Sequence, residues 1–256
     1  MDQVCGIGTK VRALNIGRYS ARLAQDPADL AQAMALRAQV FRPRQSGVQD
    51  RDAYDAACSH MVIHDSASGD LVCCFRALLL ADAGDLAASY AAQFYDLSRL
   101  AGFGGPLLEL GRFCVKPGHS DGDILRLAWA ALARLVDQTD TRLLFGCSSF
   151  DGTDGAAHDA AFAQLRAHHL APDLWRPQRR APLIYDFGRV LADTPPDPRA
   201  ALRAMPPLLR TYLAMGGWVS DHAVIDPDLN TLHVFTAVEI ANIPAARAAA
   251  LRAIAT

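Results

Sequence analysis

The 256 residues are 51% hydrophobic and 20% charged, enough for one large domain or for a core with a smaller appended part. A formal charge of −2 gives no global attraction to nucleic acid, and no apolar run nears the ~20 residues that cross a bilayer. No cationic leader precedes an apolar stretch, so the expectation is a cytoplasmic protein.

Residues 1–12 read as a poorly ordered tail, and Gly6 and Gly8 follow no strand, so they are no nucleotide fingerprint. Alternation over 18–24 predicts a first strand. Asp26 and Pro27 open a helix to about Phe41, with Leu30, Met34, Ala38 and Phe41 on one stripe. Residues 42–47 break that helix, and an acidic loop with Asp50, Asp52 and Asp55 follows. Strands are predicted over 60–64 and 71–80, then a helical excursion bounded by glycines over 81–105. After a strand over 107–115, the turn-rich residues 116–123 feed a helix over 124–136, capped by Asp121 or Asp123. A short strand over 143–147, a helix over 156–168 and a proline-rich junction at 195–198 come next. A helix over 206–215, strands over 218–225 and 233–240 joined by a turn, and an alanine-rich helix over 243–254 complete the chain.

That order is a mixed α/β sheet flanked by helices, with a core over 18–190 and a C-terminal part over 199–256 packed on it. It departs from a doubly wound dinucleotide fold, because strands two to four follow one another without crossover helices.

Three charges in apolar strands carry the chemistry. Arg76 lies inside 71–80, and Glu109 and Arg112 lie inside 107–115. An unpaired buried carboxylate or guanidinium is costly, so these groups pair across the sheet or face a wet cleft. Glu109 and Arg112 are three apart, which puts them on opposite faces of a regular strand unless a bulge intervenes; Gly111 is where one would be cheap. Facing a cleft, Glu109 would accept a proton from an attacking amine or orient an ammonium. The alternative is a structural pair with Arg76 or Arg37. Asp50, Asp52 and Asp55 would bind a cationic substrate group or remain solvated, and Arg37 with Phe41 would wall the same cleft.

Other polar groups carry less. Cys73 and Cys74 are adjacent in a strand and point to opposite faces, and the scattered Cys5, Cys58, Cys114 and Cys147 read as small buried hydrophobes in a reducing compartment. Residues 119–124 precede a helix start and form a weak anion site, without a nucleotide-phosphate loop. Ser148 and Ser149 lack a nucleophile elbow. His158, His168 and His169 are too far apart for one metal, and His222, Asp226 and Asp228 read more readily as a polar turn than as a metal or acid–base cluster. No metal site is expected.

Several of these groups also form a pattern. Arg37-x-x-x-Phe41, Asp52-x-x-Asp55, Arg76 and Glu109-x-x-Arg112 resemble the acyl-homoserine-lactone synthases, and more closely the bacterial ornithine N-alpha-acyltransferases that make lyso-ornithine lipid. Residues 123–129, 144–150, 206–213 and 223–231 extend the resemblance, which spans about 30–240. It implies a GCN5-related N-acyltransferase-like fold, a mixed sheet flanked by helices with a C-terminal extension. The implied reaction moves a 3-hydroxyacyl group from the phosphopantetheine of acyl carrier protein to the alpha-amine of L-ornithine, with no bound cofactor. Glu109, Arg112 and Arg76 would be catalytic. Arg37, Phe41, Asp52, Asp55, Asp226, Asp228 and Asn230 would bind the amino acid, and Val115, His119, Gly122 and Ser148 the donor arm. The usual acetyltransferase loop, Arg/Gln-x-x-Gly-x-Gly, is absent, with His119–Asp123 in its place, and Leu229 and Arg210 stand where the family often has Phe and Lys.

The alternatives are glutamine as acceptor, a homoserine-lactone synthase, and a lipid- or protein-binding domain without catalysis. An amphiphilic product would allow peripheral contact with the inner face of a membrane through the final helix, and Arg176, Arg179 and Arg180 are a candidate mouth for acidic carrier protein.

Overall fold

The computed structural model describes residues 12–45 and 47–255. The expected tail, with Cys5, Gly6 and Gly8, lies outside them except for Arg12.

In chain order the elements are β1 (Leu14–Ile16), β2 (Tyr19–Leu23), α1 (Pro27–Phe41), β3 (Ser59–Asp65), β4 (Leu71–Leu80), β5 (Tyr95–Asp96) and β6 (Leu107–Val115). Then come α2 (Gly122–Gln138), β7 (Leu143–Asp151), α3 (Asp159–His168), β8 (Gln178–Arg179), β9 (Ile184–Tyr185), α4 (Phe187–Val190), α5 (Pro198–Ala204) and α6 (Pro207–Ala214). The chain closes with β10 (Trp218–Val219), β11 (Ala223–Asp226), β12 (Thr231–Glu239) and α7 (Ala245–Ala255).

Three expectations need correction. The helical excursion over 81–105 is a string of 3-10 turns around β5, because short polar side chains bind nearby backbone: Asp82 accepts from Gly84 N–H, Ser89 donates to Leu86 O, and Asp96 accepts from Ser98 N–H. β7 runs on through Ser148 and Ser149, since its ladder with β12 is continuous from Leu143↔Glu239 to Asp151↔Thr231. The single strand over 218–225 is broken into β10 and β11, which pair with different stretches of β12.

Two compact units are distinguished, one of Met1–Ala81, Pro106–Arg142 and Ala245–Thr256, the other of Asp82–Gly105 and Leu143–Pro244. In the first, β1, β2, β3, β4 and β6 form successive antiparallel pairs. Asp26 caps α1 by accepting from Ala28 and Asp29 N–H, with Pro27 at the first helical position. Ala33 and Leu36 of α1 pack with Val62, Leu71, Cys74 and Cys114 on one sheet face. Phe75 and Phe113 are sequence neighbours of those cysteines and therefore point to the other face. There Phe113 stacks on Phe75 at 5.6 Å and on Trp129 of α2 at 6.4 Å. Each fully buried large apolar side chain contributes roughly 1.5–3 kcal/mol. α7 lies on α2 and is clamped by the Arg252 guanidinium, which binds both oxygens of Asp137 at 2.7 and 2.9 Å.

The second unit builds an antiparallel layer in the order β7, β12, β11, β9, with β5 and β8 as a separate two-stranded ladder. Phe162 of α3 rests on Phe150 at 4.8 Å and stacks on Phe187 at 4.9 Å. Gly155, at the entry to α3, has no substitute, because a Cβ there would come within 2.2 Å of the Tyr185 ring.

Candidate active site

The site begins with an irregularity in one ladder. In the β4–β6 pairing Leu78 faces Glu109 and Arg76 faces Gly111, yet the next pair is Cys74 with Cys114. Phe75 alone therefore spans Arg112 and Phe113, which is a bulge on β6. Arg112 takes the left-handed conformation, φ 52°, a strained choice for an arginine. Its guanidinium turns to the α1 side, where Nε donates to Asp50 at 2.9 Å and Nη2 to Asp52 at 3.2 Å. The ladder puts Glu109, Gly111, Arg76 and His60 on that same face. Arg76 lies across Gly111, where a Cβ would sit 3.4 Å from its Nε. The bulge expected at Gly111 thus exists one residue later and brings Glu109 and Arg112 to one side.

Around it the acidic loop is tied down by four arginines. Arg37 of α1 donates from Nε to Asp50 at 2.9 Å and grips Asp55 with both terminal nitrogens, at 2.7 and 3.3 Å. Arg42 donates to the other Asp50 oxygen at 3.2 Å. Arg76 Nη1 serves Asp55, at 2.6 Å, and Asp52. Inside the loop Asp52 N–H donates to Asp55 and Tyr54 N–H to Asp52, and His60 Nε2 sits 3.0 Å from Asp55 O. Phe41 closes the α1 side, its ring 5.8 Å from the Arg112 guanidinium carbon.

Burial by itself would raise the aspartates, but the guanidinium groups outweigh it. Asp55 falls to about 2 under Arg37, the Asp52 N–H and Arg76, and Asp50 is lowered by Arg112 and Arg37. For Arg76 burial works against the charge, and Asp52 and Asp55 more than restore it. Four arginines (Arg37, Arg42, Arg76, Arg112) thus converge on three aspartates (Asp50, Asp52, Asp55), with Glu109 on the same sheet face.

Arg37 is only 1% exposed and Arg76 3%, whereas Asp52, Tyr54 and Cys58 are half-buried and border the same place. Glu109 is 5% exposed. Burial, then Glu109 and Asp52, push the Tyr54 phenol upward, and burial holds the Cys58 thiol at about 12. The phenol therefore stays protonated beside the carboxylates, and Cys58 is no nucleophile at neutral pH. The motif reading missed Arg42, Tyr54, Cys58 and His60. For Tyr54 a signal was available: an aromatic between two aspartates that must both turn inward is itself placed at the cluster's edge.

The other candidates sit elsewhere in the chain. Val115 ends β6 opposite Cys73. His119 closes a turn by donating its N–H to Lys116 O, and Gly122 opens α2 behind the cap Asp121, which also accepts from the Tyr19 hydroxyl at 2.9 Å. Ser148 is buried within β7 and accepts from Thr236 at 2.9 Å. Asp226 builds the β11–β12 turn, accepting from Asp228 and Leu229 N–H, and Asn230 supplies the positive φ. His222 pairs with Asp221 rather than with Asp226 or Asp228. Among the described residues no group of three or more potential ligands could hold a metal ion. Arg176 and Arg179 are paired with Asp173 and Asp186, which reduces the expected basic mouth.

Comparisons with known proteins show which proteins the chain is similar to. The family described as "Acetyltransferase (GNAT) domain" matches residues 35–130, which include α1, the acidic loop, β4 and β6. An L-ornithine N(alpha)-acyltransferase of Rhodobacter capsulatus is 36% identical over 232 residues, covering 84% of this chain and 88% of that protein. One of the same description from Brucella abortus is 31% identical over 245 residues, covering 89% and 86%. Among solved structures, the N-acyl amino acid synthase FeeM from uncultured soil microbes aligns over 88% of this chain and 92% of its own, at 11% identity and a TM-score of 0.47.

Proposed function

We propose that this chain, which belongs to the L-ornithine N(alpha)-acyltransferase family, transfers a 3-hydroxyacyl group from acyl carrier protein to the alpha-amine of L-ornithine. Acyl transfer to an amino-acid acceptor is the family's reaction, and the observation carrying the local assignment is the bulge that turns Arg112 to the face of Glu109, beside the arginine–aspartate cluster. The thioester is already activated, so the chain must position the amine, remove its proton and stabilise an oxyanion. Glu109 takes or relays the proton; the amine nitrogen attacks the carbonyl carbon, the C–S bond breaks, and the thiol leaves on the phosphopantetheine arm. No acyl-enzyme is needed. Tyr54 and Asp52 border the acceptor, and Arg76 and Arg112 fix Glu109's surroundings. Phe41 walls that space, and Arg37 and Asp55 hold the loop from beneath.

Val115, His119, Gly122 and Ser148 remain our candidates for the donor arm. Asp226, Asp228 and Asn230 are proposed at the acceptor from the resemblance, beyond their work in the turn. No helix of the described residues is long and apolar enough to cross a membrane. An amphiphilic product invites peripheral contact at the cytoplasmic face; α7 is a modest anchor for it, with Leu251 and Ile254 half-buried on the helix that packs against α2.

The test supplies pure protein with 3-hydroxyacyl carrier protein and, in turn, ornithine, glutamine and S-adenosylmethionine, and identifies the product by mass. The expected product is the alpha-amide of ornithine. An amide of glutamine alone, or a lactone, would overturn the assignment.

A further inference from the structure

Two strands of the first unit carry a thiol pair that acyl transfer leaves unused. Cys74 of β4 and Cys114 of β6 are direct partners in the ladder, the first pair beyond the bulge at Arg112. Their Sγ atoms lie 3.5 Å apart, and both are free thiols. The two side chains sit on the face covered by α1, in one apolar cluster with Ala33, Leu36, Val62 and Leu71. Cys73, the chain neighbour of Cys74, points to the opposite face, so Cys74 has Cys114 as its partner.

The backbone is already placed for a covalent link between them. Directly opposed residues of antiparallel strands have Cα atoms about 4.5–5.5 Å apart, inside the span of about 4.4–6.8 Å that a disulfide bridges. Bringing the sulfurs from 3.5 Å to the about 2.0 Å of a bond therefore needs side-chain rotation and no change of register. The contact with Cys74, then burial, holds the Cys114 thiol well above its ordinary range. Little thiolate is present near neutral pH, so the pair stays reduced until an oxidant is in excess. Cys114 is the more accessible of the two, at 4% exposure against 1%.

We propose that Cys74 and Cys114 are a redox-sensitive staple, which a peroxide closes into a cross-strand disulfide that locks the β4–β6 register beside the bulge. The Cys114 sulfur, as thiolate, attacks a peroxide oxygen; the O–O bond breaks, hydroxide leaves and a sulfenic acid forms. The Cys74 sulfur gives up its proton and attacks the Cys114 sulfur; the S–S bond forms, the S–O bond breaks, and the oxygen leaves as water. Two thiols and one hydrogen peroxide thus give one disulfide and two waters. The loop so closed runs from residue 74 to 114, and a cross-link over that length restricts the unfolded chain more than the folded one.

The experiment treats the reduced full chain with hydrogen peroxide, alkylates the remaining thiols in denaturant and maps linked peptides by mass, reading the thermal midpoint before and after oxidation. The expected product is a Cys74–Cys114 link with the loss of two hydrogens, and a midpoint higher by about 5 °C or more that returns on reduction with dithiothreitol. Cys74→Ala and Cys114→Ala should show no such rise; a rise equal to that of wild type refutes the proposal. Alkylated Cys74 and Cys114, at a peroxide dose that oxidises the half-buried Cys58 and Cys147, would overturn it, as would links to other cysteines in their place. A bridge formed without a higher midpoint would overturn the staple. If neither variant folds, the wild-type protein decides alone: a midpoint that does not fall back when the two thiols are regenerated refutes the proposal.

Discussion

Arg37 ties α1 to the acidic loop through three nitrogens, and its removal would leave Asp50 and Asp55 buried beside fewer cations. Breaking such a pair on one side costs about 3–5 kcal/mol, so Arg37→Ala should lower the urea-unfolding free energy by that order. A loss under about 1 kcal/mol, the scale of surface pairs, would contradict the buried network. Asp55 adds a pH signature. Its folded value of about 2 lies below that of an unfolded aspartate, so the unfolded chain takes up the proton first as pH falls. The stabilisation, on the order of 2 kcal/mol, is complete above about pH 4 and is lost as the pH falls toward 2. Asp55→Asn should flatten the acid limb of stability against pH in that window; an unchanged limb would refute the assignment. Asp226→Asn separates the two roles proposed for that residue. It keeps an oxygen for the turn and removes the charge, so a contact with the amino acid predicts a raised KM at an unchanged thermal midpoint. An unchanged KM leaves the turn alone. That Arg76, Glu109 and Arg112 would need partners was legible in the sequence, because charges in apolar strands must find them, whereas Arg37 on a helix and Asp52 and Asp55 in a loop were singled out by the family resemblance. Which partner each took was not legible, since four arginines and three loop aspartates allow many pairings and only the fold selects one.

At the scale of elements, the bulge in β6 decides which face the carboxylate occupies. Deleting Arg112 restores a two-residue period and sends either Glu109 and its neighbours or the Cys114 end to the wrong face. The deletion should therefore abolish acyl transfer and cost more stability than Arg112→Ala, which loses the ion pairs and keeps the register. Equal effects in activity and in urea midpoint would mean that the register does not matter. α1, β4 and β6 were readable to the residue or nearly so, because Asp26–Pro27 at a helix start and continuous apolar runs leave little choice. The stretch over 81–105 was misread as helical because its alanines and leucines favour helix, while Asp82, Ser89 and Asp96 each divert a local backbone group. The break between β10 and β11 was hidden for another reason: Ser220 and His222 are pinned to each other and to β12, a tertiary bond with no local pattern.

For the molecule as a whole, a near-zero charge and a cluster whose arginines and aspartates largely offset one another point to a site built for positioning rather than for long-range attraction. The claim on which the account turns is that Glu109 handles the proton of the attacking amine. Single-turnover acyl transfer from 3-hydroxyacyl carrier protein to ornithine, followed with wild type and Glu109→Gln, tests it most directly. The variant keeps the shape and one acceptor oxygen, so its thermal midpoint should stay near that of wild type while the rate of amide formation falls by about a hundredfold or more. Amide formation by Glu109→Gln at the wild-type rate would contradict the account.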